Sequence, residues 1–464
     1  MKSTGLSRRR LMQIGIGATA VSALTSTTGK SFAQTIDPDD RSAAKSASVN
    51  NAFLFLDQMM DAYAQGSTVR LCQSYSDQIA GGSFFSTAFA YDNALLVLAY
   101  LARGRAGDLA RARIIGDALL YAQQQTDHVG DGRFRQAYFA GAADSHGVYV
   151  TNGLSFFQGS AVGDVAWPGI ALAQLYARTG NKPYLDGAIK AGTFIETTTR
   201  DNANVSPGGY FFGNGQSNKS TEHNIDVYAL FTTLAKLTGN SVWLNGAQHA
   251  KSFVEAMFDD PTGHFWTGTS DATKIFYDNS PEDVNTWSYL AFRDQEYARS
   301  IEWVKTNLAT TDTSFSFHNG WGTNGGLNLR VNGMTFASLS KLGTVLGDNT
   351  VDADAVWLEG TGHLISALLF RRLAAEKDIP SFHGDINLAE QLIESCQVAQ
   401  NSLGAGQTVR GNPLMLGQGL TASTSILNTG FGFNYFPYLH IGATAWYIMG
   451  ALANNPMRLK DRED

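Results

Sequence analysis

The sequence predicts an all-α chain closed into an (α/α)6 toroid, with short β-hairpins in its long loops. Three observations carry that expectation. Helical segments that are apolar nearly all round alternate with segments that are apolar on one face only. The alternation gives six such pairs. Two of the pairs also repeat each other at a fixed offset: Leu175/Leu234, Thr179/Thr238, Gly180/Gly239, Asn181/Asn240, Leu185/Leu244, Gly187/Gly246, Ala188/Ala247 and Phe194/Phe253. A fixed period marks a repeated supersecondary unit. An open solenoid of helical hairpins is the competing arrangement, but its repeats are usually shorter and more uniform.

Taken in order, a first amphipathic helix is expected over 52–64 and a buried one from Tyr91 to Ala102, stopped by Gly104. A half-exposed partner covers 108–124. The next buried helix runs from Asp164 to Ala177, with Pro168 tolerated in its first turn, and pairs with 184–197. The central buried helix, 221–237, opens with a Ser220 or Thr221 cap. Beyond Asp226, its residues Val227, Leu230, Phe231, Leu234 and Leu237 leave little surface for water, and a helix apolar all round is buried. Its partner is 242–258. Further pairs start at Pro281 (with 296–308) and Ala355 (with 387–400). A sixth buried helix spans 439–452, and an extra helix is expected near 334–346.

The N-terminus reads as a twin-arginine signal over 1–33: Ser7-Arg8-Arg9-Arg10-Leu11-Met12, a mildly apolar run from Ile14 to Leu24, then Ser31-Phe32-Ala33 before Gln34. An ordinary Sec signal is the alternative. Either implies a periplasmic or secreted protein. Residues 34–50 read as a flexible leader, 51–455 as a single toroid domain and 456–464 as a polar tail. No later segment has the apolar length of a membrane span. The net charge of −7 and pI near 5.7 argue against nucleic acid and anionic membrane partners. Cys72 and Cys396 read as isolated buried thiols, and no cysteine metal motif is present.

Connections after buried helices are short. Those before them are long: 125–163, 200–220, 259–281, 309–354 and 401–438. Loops of that length in a compact domain are usually functional. In a toroid they all land on one mouth, formed by the inner-helix N-termini. That mouth collects Asp92, Asp164, Glu222, Asp226, Asp283, Asp354 and Glu359. Its loops bring aromatics, among them Tyr149, Phe156, Phe157, Trp266, Trp321, Phe431, Phe433 and Tyr435. Asp131-Gly132-Arg133-Phe134, Gly208-Gly209-Tyr210-Phe211 and Gly263-His264-Phe265-Trp266 look like short hairpins at corresponding places. Carboxylates and flat rings around one cleft suit carbohydrate. Glycosidic cleavage needs two carboxyl groups in different protonation states, and crowding acids separates their pKa values.

Tyr91-Asp92-Asn93-Ala94, the run from Ser220 to Asp226, Tyr435-Phe436-Pro437 and Gly442-Ala443-Thr444-Ala445-Trp446 resemble the six-hairpin glycosidase superfamily, and an exported bacterial family of that kind, over residues 51–455. The resemblance implies a toroid acting on carbohydrate. That superfamily also hosts polysaccharide lyases and sugar epimerases, and a fold does not fix a reaction.

Glu222 is the expected general acid, with Asp92 as its partner on another inner helix. A helix N-terminus favours the ionised carboxylate, so Glu222 needs desolvation or a neighbouring acid to hold a proton. The bland alternative for Glu222 is a helix cap. Asp226, one turn deeper, is expected to bind sugar hydroxyls or orient a neighbour. Asp164 and Asp283 are substitutes for Asp92, or caps. His223, Trp167, Trp266, Trp287, Glu359, His363, Tyr435 and His440 complete the expected substrate site. Glu359 and His363 stand four apart without a third ligand at a known spacing, so no metal is expected, and no cofactor. Asp144-Ser145-His146 is merely adjacent in sequence. Three readings remain: a glycoside hydrolase; a lyase or epimerase on uronic or amino sugars, favoured by a cationic mouth around Arg133, Arg135 and His223; and a non-catalytic glycan-binding accessory of exopolysaccharide assembly or export.

Overall fold

The computed structural model describes residues 38–77, 86–124, 130–142, 159–203, 207–313, 329–342, 345–346, 349–375 and 383–459. The expected signal 1–33, Asp144-Ser145-His146, Tyr149, Phe156, Phe157 and Trp321 lie outside the described residues. Ser42–Asp464 is one compact unit. The twelve helices of the described residues are α1 (Pro38–Asp61), α2 (Ala90–Arg103), α3 (Ala106–Gln124), α4 (Val162–Thr179), α5 (Lys182–Thr198), α6 (Thr221–Thr238), α7 (Ser241–Ala256), α8 (Glu282–Phe292), α9 (Ala298–Asn307), α10 (Leu358–Ala375), α11 (His383–Ser402) and α12 (Ile441–Ala451).

The even-numbered helices form a closed ring. Each packs on the next, from α2 to α12, and α12 returns to α2. Each of α3, α5, α7, α9 and α11 packs outside its predecessor. The remaining outer position belongs to α1, which reaches α2 through Phe53 and Tyr100 (ring centroids 5.8 Å apart) and α12 through the Ser48–Tyr447 hydrogen bond (2.6 Å). The chain is therefore an (α/α)6 toroid. Its described strands pair only as two-stranded antiparallel ribbons. No described helix is long and apolar enough to cross a membrane.

The repeat seen in the sequence is literal. Gly104, Gly180 and Gly239 end α2, α4 and α6 at φ 68°, 69° and 69°, the left-handed cap that favours glycine. Thr179 and Thr238 each return a hydroxyl to the fourth preceding carbonyl, at 2.7 Å in both.

A second repeat fixes the mouth. Asn93, Asn224 and Asn285 are each the fourth residue of an inner helix. Their side-chain oxygens accept the N–H groups of Cys72, Tyr210 and Phe265, each at 2.8 Å. Their amide nitrogens return to the start of their own helices, at Phe89, Ser220 and Pro281. Each buried amide thus ties an incoming loop to a helix N-terminus and satisfies one buried loop N–H.

Several boundaries differ from expectation. α1 begins at Pro38, inside the stretch read as a leader, because Ser48 and Val49 are buried and Ser48 also donates to Gln400 (2.5 Å). The tail is docked at its start: Met457 is buried, the Pro456 carbonyl accepts Gln174 at 2.6 Å and Arg458 donates to Ala291 at 2.9 Å. The extra helix near 334–346 does not form. Met334 and Ala337 are bridged to Trp357 and Pro281, which draws the chain out straight and leaves only a 3-10 turn at Ser338–Leu342. Of the Gly-aromatic hairpins, Phe258–Asp259 pairs with His264–Phe265, and Arg200 bridges Tyr210 at the equivalent place. Asp131–Phe134 makes no strand pair, although Gly132, Gly209 and Gly263 share a positive φ (89°, 82° and 75°). Cys72 and Cys396 are buried and free.

Candidate active site

Counting residues from each inner-helix start exposes two layers. The second residues are Tyr91, Gly163, Glu222, Asp283, Glu359 and Gly442. The sixth residues, one turn deeper on the same faces, are Leu95, Trp167, Asp226, Trp287, His363 and Trp446. The upper layer is acidic, with glycine where a neighbour intrudes. A Cβ on Gly163 would meet His223 Cδ2 at 2.7 Å and Asp226 Oδ2 at 3.2 Å. One on Gly442 would meet Asp92 Oδ1 at 2.6 Å and Glu359 Oε2 at 3.1 Å.

The lower layer closes the ring. Trp167 and Trp287 meet edge to face at 5.2 Å, and Trp287 stacks on Trp446 at 5.7 Å. His363 lies 4.3 Å from Trp446 and 4.9 Å from Trp287. Trp167 and Trp287, expected to contact substrate, are 1% and 2% exposed. Their faces cover one another and form a floor, not an open stacking surface.

On one side of this basin the carboxylates are paired. Both Asp92 oxygens sit 3.1 Å from His440 Nε2. The Ala443 N–H donates to His440 Nδ1 at 3.2 Å, so Nε2 carries the proton that faces Asp92. Tyr75 stacks on that ring at 4.1 Å. Burial alone would lower the His440 pKa; the Asp92 charge overrides it and raises it. Glu359 accepts the Tyr91 hydroxyl at 2.6 Å and lies within 3.6–3.8 Å of His440 and His363. Burial works against its charge, yet these partners hold its pKa below the usual value. His363 Nδ1 meets Glu282 at 2.9 Å. Burial opposes its charge, but Glu282 and Glu359 push its pKa up to about 9.

On the other side the carboxylates have no such partners. Glu222 is half-buried, and its pKa is raised well above the usual range by burial, then by Asp283, Asp226, Asp164 and Glu359. Asp226 is fully buried, and burial followed by the Asp283 charge raises its pKa well above the usual range, against a hydrogen bond from the Trp167 side chain. Burial lifts Asp164 and Asp283 each to about 7, against the backbone N–H groups of Ala161 and Val284 and, for Asp283, the charge on His363. Desolvation thus outweighs the helix-terminus preference for the anion. His223 stands among these acids, half-buried, with Nδ1 unpartnered and its pKa lowered to about 4 by burial.

Glu222 and Asp92 stand on non-adjacent inner helices, α6 and α2, and both act on Tyr435. Tyr435 hangs over the basin, half-buried, its pKa raised by burial and then by Glu359, Asp92, Glu222 and Asp283 together. The Trp266 carbonyl accepts the Thr221 hydroxyl at 2.6 Å, and its ring meets His264 (4.3 Å) and Tyr277 (5.4 Å). Asp354 is exposed in its loop. The cationic mouth does not assemble around Arg133, which pairs with Asp131 and lies over Phe194. Tyr75, Tyr91 and Glu282 belong to the site without having been singled out. Registering the repeated Asn93, Asn224 and Asn285 would have found Tyr91. Nothing local marks Tyr75. Among the described residues no three His, Cys, Asp or Glu side chains group as a metal site.

No protein-family model matches the chain, and no curated protein matches it by sequence. Solved structures do match in fold. An inactive variant of an α-1,6-mannanase of Salegentibacter sp. HEL1_6, in complex with α-1,6-mannotriose, aligns over 89% of this chain and 100% of its own, with 13% identity and a TM-score of 0.51. Cellobiose 2-epimerase from Bacillus thermoamylovorans B4167 aligns over 88% and 99%, with 11% identity and a TM-score of 0.55. A D-mannose isomerase aligns over 90% and 98%, with 12% identity and a TM-score of 0.57. The chain shares the (α/α)6 toroid fold of these structures.

Proposed function

We propose that the protein is an exported glycoside hydrolase acting on a polysaccharide or oligosaccharide. The observation that carries this reading is the opposite setting of two carboxyl groups in one basin. Glu222, desolvated among other acids, is biased towards its protonated form. Asp92 sits against the His440 N–H. Glu222 would give its proton to the glycosidic oxygen as the bond to the anomeric carbon breaks. The Asp92 carboxylate would take a proton from the attacking water, or attack the anomeric carbon itself. The fold's occurrence in an α-1,6-mannanase supports this, as does a basin whose main charges are carboxylates and histidines, suited to a neutral sugar. The test is a panel of glycans assayed for new reducing ends. Wild type is expected to turn over one or more; Glu222→Gln and Asp92→Asn are not. Turnover surviving both substitutions would refute the assignment. Full glycan binding by both variants, with no turnover by wild type, would favour the accessory reading.

His223 favours a second reading, a sugar epimerase or isomerase. A neutral imidazole with an unpartnered nitrogen is a ready base for a proton on a sugar carbon. The two reactions separate in D2O: epimerisation or isomerisation exchanges a carbon-bound hydrogen for deuterium, and hydrolysis leaves it in place.

A further inference from the structure

The long loop before α12 ends in a hairpin that presents two phenylalanines to solvent. Leu427 pairs with Tyr435 and Asn428 with Asn434. Between them runs Thr429-Gly430-Phe431-Gly432-Phe433. Gly430 and Gly432 have φ of 78° and 87°, where a side chain is strained. Thr429 fastens the tip: its hydroxyl donates to the Phe433 carbonyl at 2.7 Å and accepts the Phe431 N–H at 3.2 Å. The Asn428 side chain accepts the Gly430 N–H at 3.0 Å. This ordered tip leaves Phe431 39% and Phe433 49% exposed. Holding rings rigidly in water is a feature of a surface built for contact.

The rings are continuous with the basin. Phe433 meets Tyr435 edge-on at 5.8 Å, and Phe336 bridges Tyr435 and Phe431 at 5.8 and 6.1 Å. Tyr435 lies nearly parallel to Trp357 at 6.0 Å. An aromatic strip therefore leads from the carboxylates outward to the hairpin tip. Its loop is also without charge: from Gly411 to Leu439 there is no Asp, Glu, Lys or Arg. Surfaces for anionic lipid or nucleic acid set Lys and Arg beside their rings. A neutral polyhydroxyl chain needs only ring faces and neutral hydrogen-bonding groups.

We infer that the Phe431–Phe433 hairpin is an outer binding site for a neutral glycan chain, holding sugar units beyond those in the acid basin. Pyranose C–H faces stack on the two rings, and the substrate is a chain several units long. The inference rests on the carbohydrate reading of the mouth, but it does not require hydrolysis.

Affinity electrophoresis of the full chain through gels containing an α-mannan, a β-glucan, a galactan or the anionic polysaccharide alginate tests it. Wild type and Glu222→Gln are expected to be retarded by at least one neutral polysaccharide and not by alginate. The Phe431→Ala/Phe433→Ala double variant is expected to lose that retardation by about tenfold in apparent affinity, and Phe433→Trp to keep it. With hydrolysable oligosaccharides, the double variant raises KM for long chains and leaves the shortest unchanged. Equal mobility of wild type and the double variant in every gel overturns the site, as does retardation by alginate alone. So does loss in the double variant of co-sedimentation with phosphatidylcholine vesicles while glycan binding stays intact, which would make the hairpin a membrane contact. Retardation without turnover leaves the outer site standing and removes the hydrolase reading instead.

Discussion

The two sides of the basin carry the same residue type in opposite electrostatic states. Asp92, on α2, meets the His440 Nε2 proton, and Glu359, on α10, lies beside His363 and His440. Glu222, Asp226 and Asp164, on α6 and α4, meet chiefly other acids. Asp283, on α8, stands between the two groups, feeling both His363 and Glu359. All are enclosed at the N-termini of parallel helices, so neither burial nor the helix dipole separates the sides. The histidines do: the pKa is raised for His363 on α10 and for His440, which caps α12, and lowered by burial for His223 on α6. A fold of repeated hairpins thus acquires two unlike sides from where its histidines meet its acids.

The largest expected effect on activity comes from breaking either side at its reactive group. Glu222→Gln and Asp92→Asn are each expected to lower kcat about 10³-fold. Their effects on stability should differ in sign, because the first removes the cost of protonating Glu222 on folding and the second strips His440 of its partner. Differential scanning calorimetry of both variants reads this directly. Equal shifts would erase the contrast between the sides.

His363→Ala comes next. It leaves Glu282 and Glu359 buried without their shared cation, at a cost of about 3–5 kcal/mol in urea unfolding. The sign with pH is fixed by a folded pKa of about 9, above the unfolded value. The stabilisation is full below the unfolded pKa and is lost as pH rises through about 9. His363→Gln should flatten that slope.

Asp283→Asn should act the opposite way. Its folded pKa of about 7 exceeds the unfolded value, so the native state holds the proton more tightly and stability falls as pH rises towards 7. Removing the charge is expected to raise stability at pH 8 by about 2–4 kcal/mol, measured as an increased urea midpoint. The smallest effect belongs to Gly442→Ala. The new methyl meets Asp92 Oδ1 and displaces it. A drop of about 10–100-fold in kcat/KM with little change in Tm is expected.

The ring was legible because buried helices advertise themselves: α2, α4, α6 and α12 are apolar round their whole circumference, and Thr-Gly-Asn marks two of their ends. The acids were legible because they stand where that apolar run begins. What escaped depended on contacts between distant segments. The start of α1 and the docked tail are amphipathic or polar stretches held by partners far along the chain, Gln400 and Tyr447 for the first, Gln174 and Ala291 for the second. The segment 334–346 has helical spacing but is drawn out by two bridges from elsewhere in the chain. The tryptophans of the lower layer read as sugar platforms because spacing gives their face of the helix and not their depth along the ring axis. The histidine pairing of Asp92 joins residues 348 positions apart, and no local pattern announces it.

At the centre is a Glu222 carboxyl biased towards its protonated form, opposite an Asp92 carboxyl hydrogen-bonded to His440. Infrared difference spectroscopy of the protonated carboxyl C=O stretch measures this on the intact chain. At pH 7 a buried carboxylic acid band is predicted that weakens or disappears in Glu222→Gln and persists in Asp92→Asn. A spectrum without the band, or one that loses it only in Asp92→Asn, would contradict the account.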